Sequence, residues 1–199
     1  MHINTVFIDV GGVLVRTENT KRRRDWEQKL HLKSRQLTKE IAKIQPAKEA
    51  TIGLVTAEKI WQNVAKKYSL NSTNLEILRE DFFAGERLNL EFYQYVLRLH
   101  KKLKVVLFSN VWDDGREVYT KKFGLDKLCD QMILSAEEGM RKPHKKFFKR
   151  ALLLMSTTPA ESIFVDDRLE NIKAGREMGL NCIQFKNTKD TITQLNALI

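Results

Sequence analysis

Five short apolar runs punctuate the chain: Thr5 to Ile8, Lys104 to Phe108, Gln131 to Leu134, Ser162 to Val165 and Cys182 to Phe185. Each is near-continuous rather than alternating, the pattern of a strand covered on both faces. Helical periods lie between them. Leu90 to Lys102 carries Leu90, Phe92, Tyr93, Val96, Leu97 and Leu99, and Phe147 to Met155 places Phe147, Phe148, Ala151, Leu152 and Met155 on one stripe. Glu170 to Met178 is followed by Gly179, where a helix C-cap glycine belongs. Strands alternating with helices predict an α/β fold, a doubly wound parallel five-stranded sheet joined by right-handed crossovers.

One connection is out of proportion. About ninety residues separate the first strand from the second, and a structureless loop of that length is improbable. The interval holds no convincing strand but several helical patterns. Thr20 to Leu30 contains Trp26 and Leu30, and Ser34 to Ile44 spaces Leu37, Ile41 and Ile44 behind a candidate N-cap at Ser34. Glu58 to Tyr68 spaces Ile60, Trp61, Val64, Ala65 and Tyr68, and Thr73 to Phe83 closes the set. Residues 16–86 therefore read as an inserted helical cap, and residues 1–15 with 87–199 as the α/β core. Trp26, Trp61, Phe82 and Phe83 are expected in the cap's own core, and Trp112 is a candidate for lining the pocket.

Composition narrows the class. With 42% hydrophobic and 30% charged residues among 199, and only 9 Gly and 3 Pro, disordered, collagen-like and low-complexity readings are excluded. The net charge of +10 predicts attraction of anions without choosing among phosphate esters, nucleic acid and acidic lipid. The run Lys21-Arg22-Arg23-Arg24 reads as a solvated cap face. Basic and aromatic residues do not interleave in any nucleic-acid-binding motif, so a nucleic-acid partner is not expected. Cys129 and Cys182 are far apart, outside any Cys-x-x-Cys pair, and read as two reduced buried thiols. No apolar stretch approaches the ~20 residues of a membrane span, and the start of the chain lacks a signal-peptide pattern. A cytoplasmic protein with no membrane partner is the expectation.

In an open parallel sheet, ligands bind beyond the carboxyl ends of the strands, near the point where strand order reverses. The first strand delivers Asp9 and then Val10-Gly11-Gly12. The second delivers Ser109-Asn110. After the third come Gly139-Met140-Arg141-Lys142-Pro143, and the fourth delivers Asp166-Asp167, with Asn171 one helical turn later. Carboxylates gathered at one rim repel unless a cation neutralises them, and hard oxygen donors without His or Cys favour magnesium. A lysine and a hydroxyl beside that cation make a pocket for a phosphoryl group. An aspartate held ionised there can serve as a nucleophile.

Together the stretches VFIDVGGVL, LFSN, GMRKP and FVDDRLENIKAG resemble motifs one to four of the haloacid dehalogenase-like (HAD) hydrolase superfamily, in order. Ser109 follows Asp9 by 100 residues, Lys142 follows Ser109 by 33, and Asp167 follows Lys142 by 25. The resemblance implies a Rossmann-like core with a helical cap inserted after the first motif (a C1 cap), and a magnesium-dependent phosphatase acting on a small phosphorylated metabolite. By the same resemblance Asp9 attacks phosphorus and forms an aspartyl-phosphate. Asp9, the Gly11 carbonyl and Asp167 hold magnesium, and Asp166 ligates the ion or orients a water. Ser109 and the Asn110 amide bind phosphoryl oxygens, Lys142 offsets charge on nucleophile and phosphate, and Asn171 supports the shell.

Two departures matter. Phosphatases of this family usually carry a second aspartate two residues after the nucleophile, which protonates the leaving oxygen; here that position is Gly11. General acid–base help is worth about 10² to 10⁴-fold, so its loss should cost activity unless something replaces it; a good leaving group, such as an anomeric phosphate, would need the acid less. The second is Lys142-Pro143-His144 where Lys-Pro-Asp is commoner; His144 reads as a surface or helix-starting residue with proton donation as its alternative. Three rival functions remain: a metal-independent haloacid dehalogenase, a phosphotransferase or mutase, and a non-catalytic binding protein.

Overall fold

In the computed structural model, which describes residues 2–199, strand β1 (Thr5–Ile8) lies at the centre of the main sheet. Strands β2 (Val15–Thr17) and β3 (Glu86–Leu88) pair antiparallel with each other away from it. Strands β4 (Lys104–Ser109), β5 (Gln131–Leu134), β6 (Ser162–Asp166) and β7 (Asn181–Gln184) complete the main sheet in the order β5-β4-β1-β6-β7, every pair parallel. All five predicted strands are present, β4 and β6 each one residue longer and β7 shifted one residue earlier. Ile8 stands level with Leu107 on one side and Val165 on the other, so the three central strands end together. The chain leaves β1 toward β4 and leaves β6 toward β7, in opposite directions. The crevice where strand order reverses therefore opens between β1 and β6.

Period-2 alternation splits each strand between two cores. Val6, Ile8, Val105, Leu107, Ile163 and Val165 face one layer, with Phe92, Val96 and Leu99 of the helix Leu90–Leu99 and Leu195 of the helix Thr188–Leu198. Phe7, Val106, Phe108, Ile133 and Phe164 face the other, under the helices Lys145–Leu154 and Leu169–Glu177. The ring centroids of Phe108 and Phe147 are 4.4 Å apart, and Phe148 and Phe164 meet edge to face at 5.3 Å. The helix starting at Leu90 stops at Leu99, short of the expected Lys102, because the Lys102 and Leu103 amides turn back onto the Leu99 carbonyl to enter β4. The helix Thr188–Leu198 was not anticipated; its apolar positions are few, and the Asn187 side chain capping the Asp190 amide fixes its start.

The interval from β2 to β3 folds on a third cluster. Trp26, Leu37, Ile41, Ile60, Trp61, Val64, Leu78 and Phe82 are buried together, drawn from the helices Lys21–Lys29, Leu37–Lys43, Ala57–Tyr68 and Ser72–Phe83. Three expectations are corrected here. Ser34 is not a cap: the buried Glu27 carboxylate accepts the Arg35 and Leu37 amides and starts the helix Leu37–Lys43 from a neighbouring helix. The interval's ends do hold strands, β2 and β3, three residues each and too short to carry a period. In the basic run only Arg23 departs from the expected solvated face: Lys21, Arg22 and Arg24 are exposed, Arg22 pairing with Asp81 at 2.7 Å, whereas the half-buried Arg23 guanidinium stacks 4.2 Å from the Phe82 ring centroid. Cys129 and Cys182 are free thiols, half-buried rather than buried, and burial pushes both up to about 11.

Trp61 is 1% exposed, whereas Leu153 is 71% exposed. Trp61→Ala is expected to destabilise the protein by about 3–5 kcal/mol, and Leu153→Ala by less than about 0.5 kcal/mol, as read by denaturant titration. Equal effects would contradict the assignment of Trp61 as the centre of a packed cluster.

Candidate active site

The carboxyl ends of β1, β4 and β6 bring the chemistry-bearing residues of four separate stretches into one place. Asp9 leaves β1 with its amide still bonded to the Val165 carbonyl at 2.9 Å, and its Oδ1 accepts the Val10 amide at 2.8 Å. The chain then reverses sharply, the Leu14 and Val15 amides both returning to the Val10 carbonyl. Gly12 sits at φ +82°, and a Cβ there would lie 2.4 Å from Asp167 Oδ2. Only glycine lets the loop after β1 and the end of β6 approach so closely. One carboxylate oxygen from each of Asp9, Asp166 and Asp167 lies within 4.8 Å of the others.

Lys142 is the opposite pole. Its side chain is fully buried, and Nζ stands 2.7 Å from Asp166 Oδ2 and 3.1 Å from Asp9 Oδ1. It also donates to the Phe108 carbonyl at 2.6 Å, so its three donors have three acceptors. The Phe108 and Phe164 rings lie beneath it, with centroids 5.2 and 5.5 Å away. The second aromatic core thus supplies a floor that favours a cation. Asp166 is saturated: Oδ2 takes Lys142 and Asn171, and Oδ1 takes Asn171 and the Arg168 amide.

The charges do not balance. Three carboxyl groups face one ammonium in a poorly hydrated crevice. Burial drives Asp9 up to about 7; Lys142 opposes this and Asp166 reinforces it. Asp167 is raised as well, first by burial and then by Asp166. A hard cation suits this donor set, which is all oxygen and carries surplus negative charge.

Several predicted residues sit here in ways their positions in the chain did not convey. Asn110, singled out for its backbone amide, uses its side chain to clamp the Lys142 backbone: Oδ1 accepts the Lys142 amide at 2.8 Å and Nδ2 donates to its carbonyl at 2.9 Å. Ser109, 1% exposed, is 3.0 Å from the Tyr119 hydroxyl. Asn171 donates to both Asp166 oxygens at 3.0 Å, while its own buried Oδ1 has no partner among the described residues. Gly11 is exposed with open space around its Cα, and His144 is exposed at the N-cap of the helix Lys145–Leu154. Trp112 packs on the third cluster, 6.3 Å from Trp61. Its neighbour Asp113 accepts the Ala57 amide at 2.7 Å, and Arg141 donates to Thr51 Oγ1 at 2.9 Å, so the loops beside Ser109 and Lys142 also hold the helical insertion. Neither Tyr119 nor Asp113 could be found by motif spacing; a tyrosine ten residues past Ser109 carries no local signal.

The chain is similar to several known proteins. A D-ribitol-5-phosphate phosphatase of Bacteroides thetaiotaomicron is 30% identical over 117 residues, covering 56% of this chain and 57% of that protein. A drimenol cyclase of Aspergillus calidoustus is 28% identical over 151 residues, covering 72% of this chain and 28% of that one. The chain thus spans well under two thirds of these curated relatives. A HAD family enzyme from Bacteroides thetaiotaomicron, crystallised with magnesium and inorganic phosphate, superposes with a TM-score of 0.78 at 21% identity, covering 92% of this chain and 94% of the other; it shares the fold. The family model for haloacid dehalogenase-like hydrolases matches residues 3–179, and the chain belongs to that family.

Proposed function

We propose that the protein is a magnesium-dependent phosphatase that hydrolyses a small phosphorylated metabolite, such as a sugar phosphate, through a phosphorylated Asp9. The observation that carries this reading is the cluster of Asp9, Asp166 and Asp167 around a buried Lys142 at the reversal of strand order. The ribitol-phosphate phosphatase activity of one relative supports it. The ion's direct ligands would be Asp9, Asp167 and the Gly11 carbonyl, because all four lone-pair directions of Asp166 are taken; Asp166 then contributes charge and orientation. When bound, magnesium supplies positive charge that offsets the phosphoryl oxygens.

The chain's own residues do the rest. Lys142 and the Val10 amide orient the Asp9 carboxylate, so that one oxygen would attack phosphorus in line while the other stays available to the ion. A bond forms between that Asp9 oxygen and phosphorus as the bond from phosphorus to the leaving oxygen breaks, and the leaving oxygen takes a proton from solvent. Lys142 favours the ionised form of Asp9 against the effect of burial and remains beside it as charge shifts onto the phosphoryl group. Ser109 and the Asn110 amide bind non-bridging oxygens, and Asn171 fixes Asp166. Water then attacks phosphorus and releases inorganic phosphate, restoring Asp9. We assign residues 16–86 as a cap that closes over the crevice and excludes water. A metal-free dehalogenase would leave Asp167 without a task.

With p-nitrophenyl phosphate, whose leaving group needs no proton, chelation should abolish phosphate release, magnesium should restore it, and Asp9→Asn should reduce it to background. Release that survives Asp9→Asn unchanged would refute the mechanism. Magnesium at a hundredfold excess over its Kd should stabilise the wild type by about 2.7 kcal/mol and Asp167→Asn far less, as read by thermal melting. At one fixed magnesium concentration the gain should be larger at pH 8 than at pH 5.5, since burial raises Asp9 to about 7 and its proton must leave for the ion to bind.

Positions 11 and 12 should separate cleanly. A Cβ at Gly11 would meet nothing within 4 Å among the described residues, so Gly11→Asp should fold normally and raise turnover of alkyl phosphates with poor leaving groups. Gly12→Ala should displace Asp167 and cost more than about 1 kcal/mol, as judged by melting temperature and magnesium affinity. Equal tolerance at both positions would contradict the loop geometry.

A further inference from the structure

The loop after β4 is followed by a short helical turn, Gly115–Glu117, that widens into one π-helical turn, Val118–Lys122. Wide turns of this kind recur at functional sites. Gly115 sets its position: a Cβ there would lie 2.3 Å from Val111 Cγ2, so only glycine lets the turn settle against the loop. The result is that Tyr119, almost fully buried among the residues of the first core, reaches back to the end of β4 and places its hydroxyl 3.0 Å from Ser109 Oγ.

The distance alone leaves either oxygen as donor. The chemistry decides. An unprotonated phosphoryl oxygen can only accept, and Ser109 has one proton. If Ser109 gave that proton to Tyr119, it would present a lone pair to an anion. We propose that Tyr119 is a positioning residue for Ser109: its hydroxyl donates to Ser109 Oγ, so that the serine's own proton points to a non-bridging phosphoryl oxygen. Tyr119 suits this duty because burial, reinforced by the negative charge of Asp9, holds its hydroxyl protonated well above the ordinary tyrosine range, although the bond to Ser109 pulls the other way. Among the described residues its hydroxyl makes no other hydrogen bond, so nothing competes for the proton. With no acid at Gly11, stabilisation of the phosphoryl group falls more heavily on such fixed donors.

The inference rests on the phosphatase reading, and one set of variants tests the two apart. Hydrolysis of p-nitrophenyl phosphate and inhibition by inorganic phosphate are measured for the wild type, Tyr119→Phe, Ser109→Ala and the double variant, with melting temperatures as a control. Tyr119→Phe should lower kcat/KM roughly tenfold and weaken phosphate inhibition alongside it. In the Ser109→Ala background the same change should cost nothing further, whereas in Ser109→Thr, which keeps a hydroxyl, it should again cost activity. Wild-type kinetics in Tyr119→Phe, or losses that multiply in full in the double variant, would overturn the proposal. If the wild type released no phosphate, the reading beneath would fall. Calorimetric titration with inorganic phosphate would then decide the pair on its own: weaker binding by Tyr119→Phe sustains it, and unchanged binding ends it.

Discussion

A lysine ammonium buried between two carboxylates is the constraint on which the rest of this structure turns. Lys142 has no solvent to fall back on, and its three donors must all be met inside the protein. Removing one partner of such a pair strands the other charge, at a cost of about 3–5 kcal/mol. The sheet's geometry follows from that demand. β1 and β6 must lie side by side so that Asp9 and Asp166 flank one point, β4 must end where the Phe108 carbonyl can accept, and the backbone of Lys142 must be clamped by Asn110. Function uses what stability requires, because an arrangement that sets three carboxyl groups against one ammonium is already a seat for a cation.

The same loops serve the helical insertion. The stretch after Ser109 contributes Trp112 to the third cluster and Asp113 to the start of the helix Ala57–Tyr68, while Arg141, next to Lys142, reaches Thr51. The segments that carry Ser109 and Lys142 are thus the segments on which the insertion rests. Movement of the insertion would be felt first at Ser109 and Lys142, so the proposed closure would reach the proposed chemistry without a separate relay.

How much of this the sequence disclosed depends on the length scale of the signal. The five strands were legible because burial on both faces forces unbroken apolar runs, and helices with clear apolar stripes were legible from them, whereas Thr188–Leu198, with few apolar positions, was not. Asp9, Ser109, Lys142 and Asp166-Asp167 stood out because each follows a strand end, and parallel sheets place those ends on one rim. Contacts that depend on tertiary placement were hidden. Glu27 starts a helix ten residues ahead of it, which no local cap pattern anticipates, and the strands β2 and β3 are too short to show alternation. Asn110 was singled out for its backbone, yet its side chain does the clamping. Tyr119 reaches Ser109 only through a wide helical turn that nothing in Val118-Tyr119-Thr120 announces.

The most direct measurement of the central claim is chemical trapping during turnover. The enzyme is mixed with magnesium and p-nitrophenyl phosphate, quenched rapidly in acid and reduced with borohydride, which converts an aspartyl-phosphate to homoserine. Peptide mass spectrometry then locates the change. The account predicts homoserine at position 9 and at no other acidic residue. Continued phosphate release with Asp9 always recovered as aspartate would contradict it.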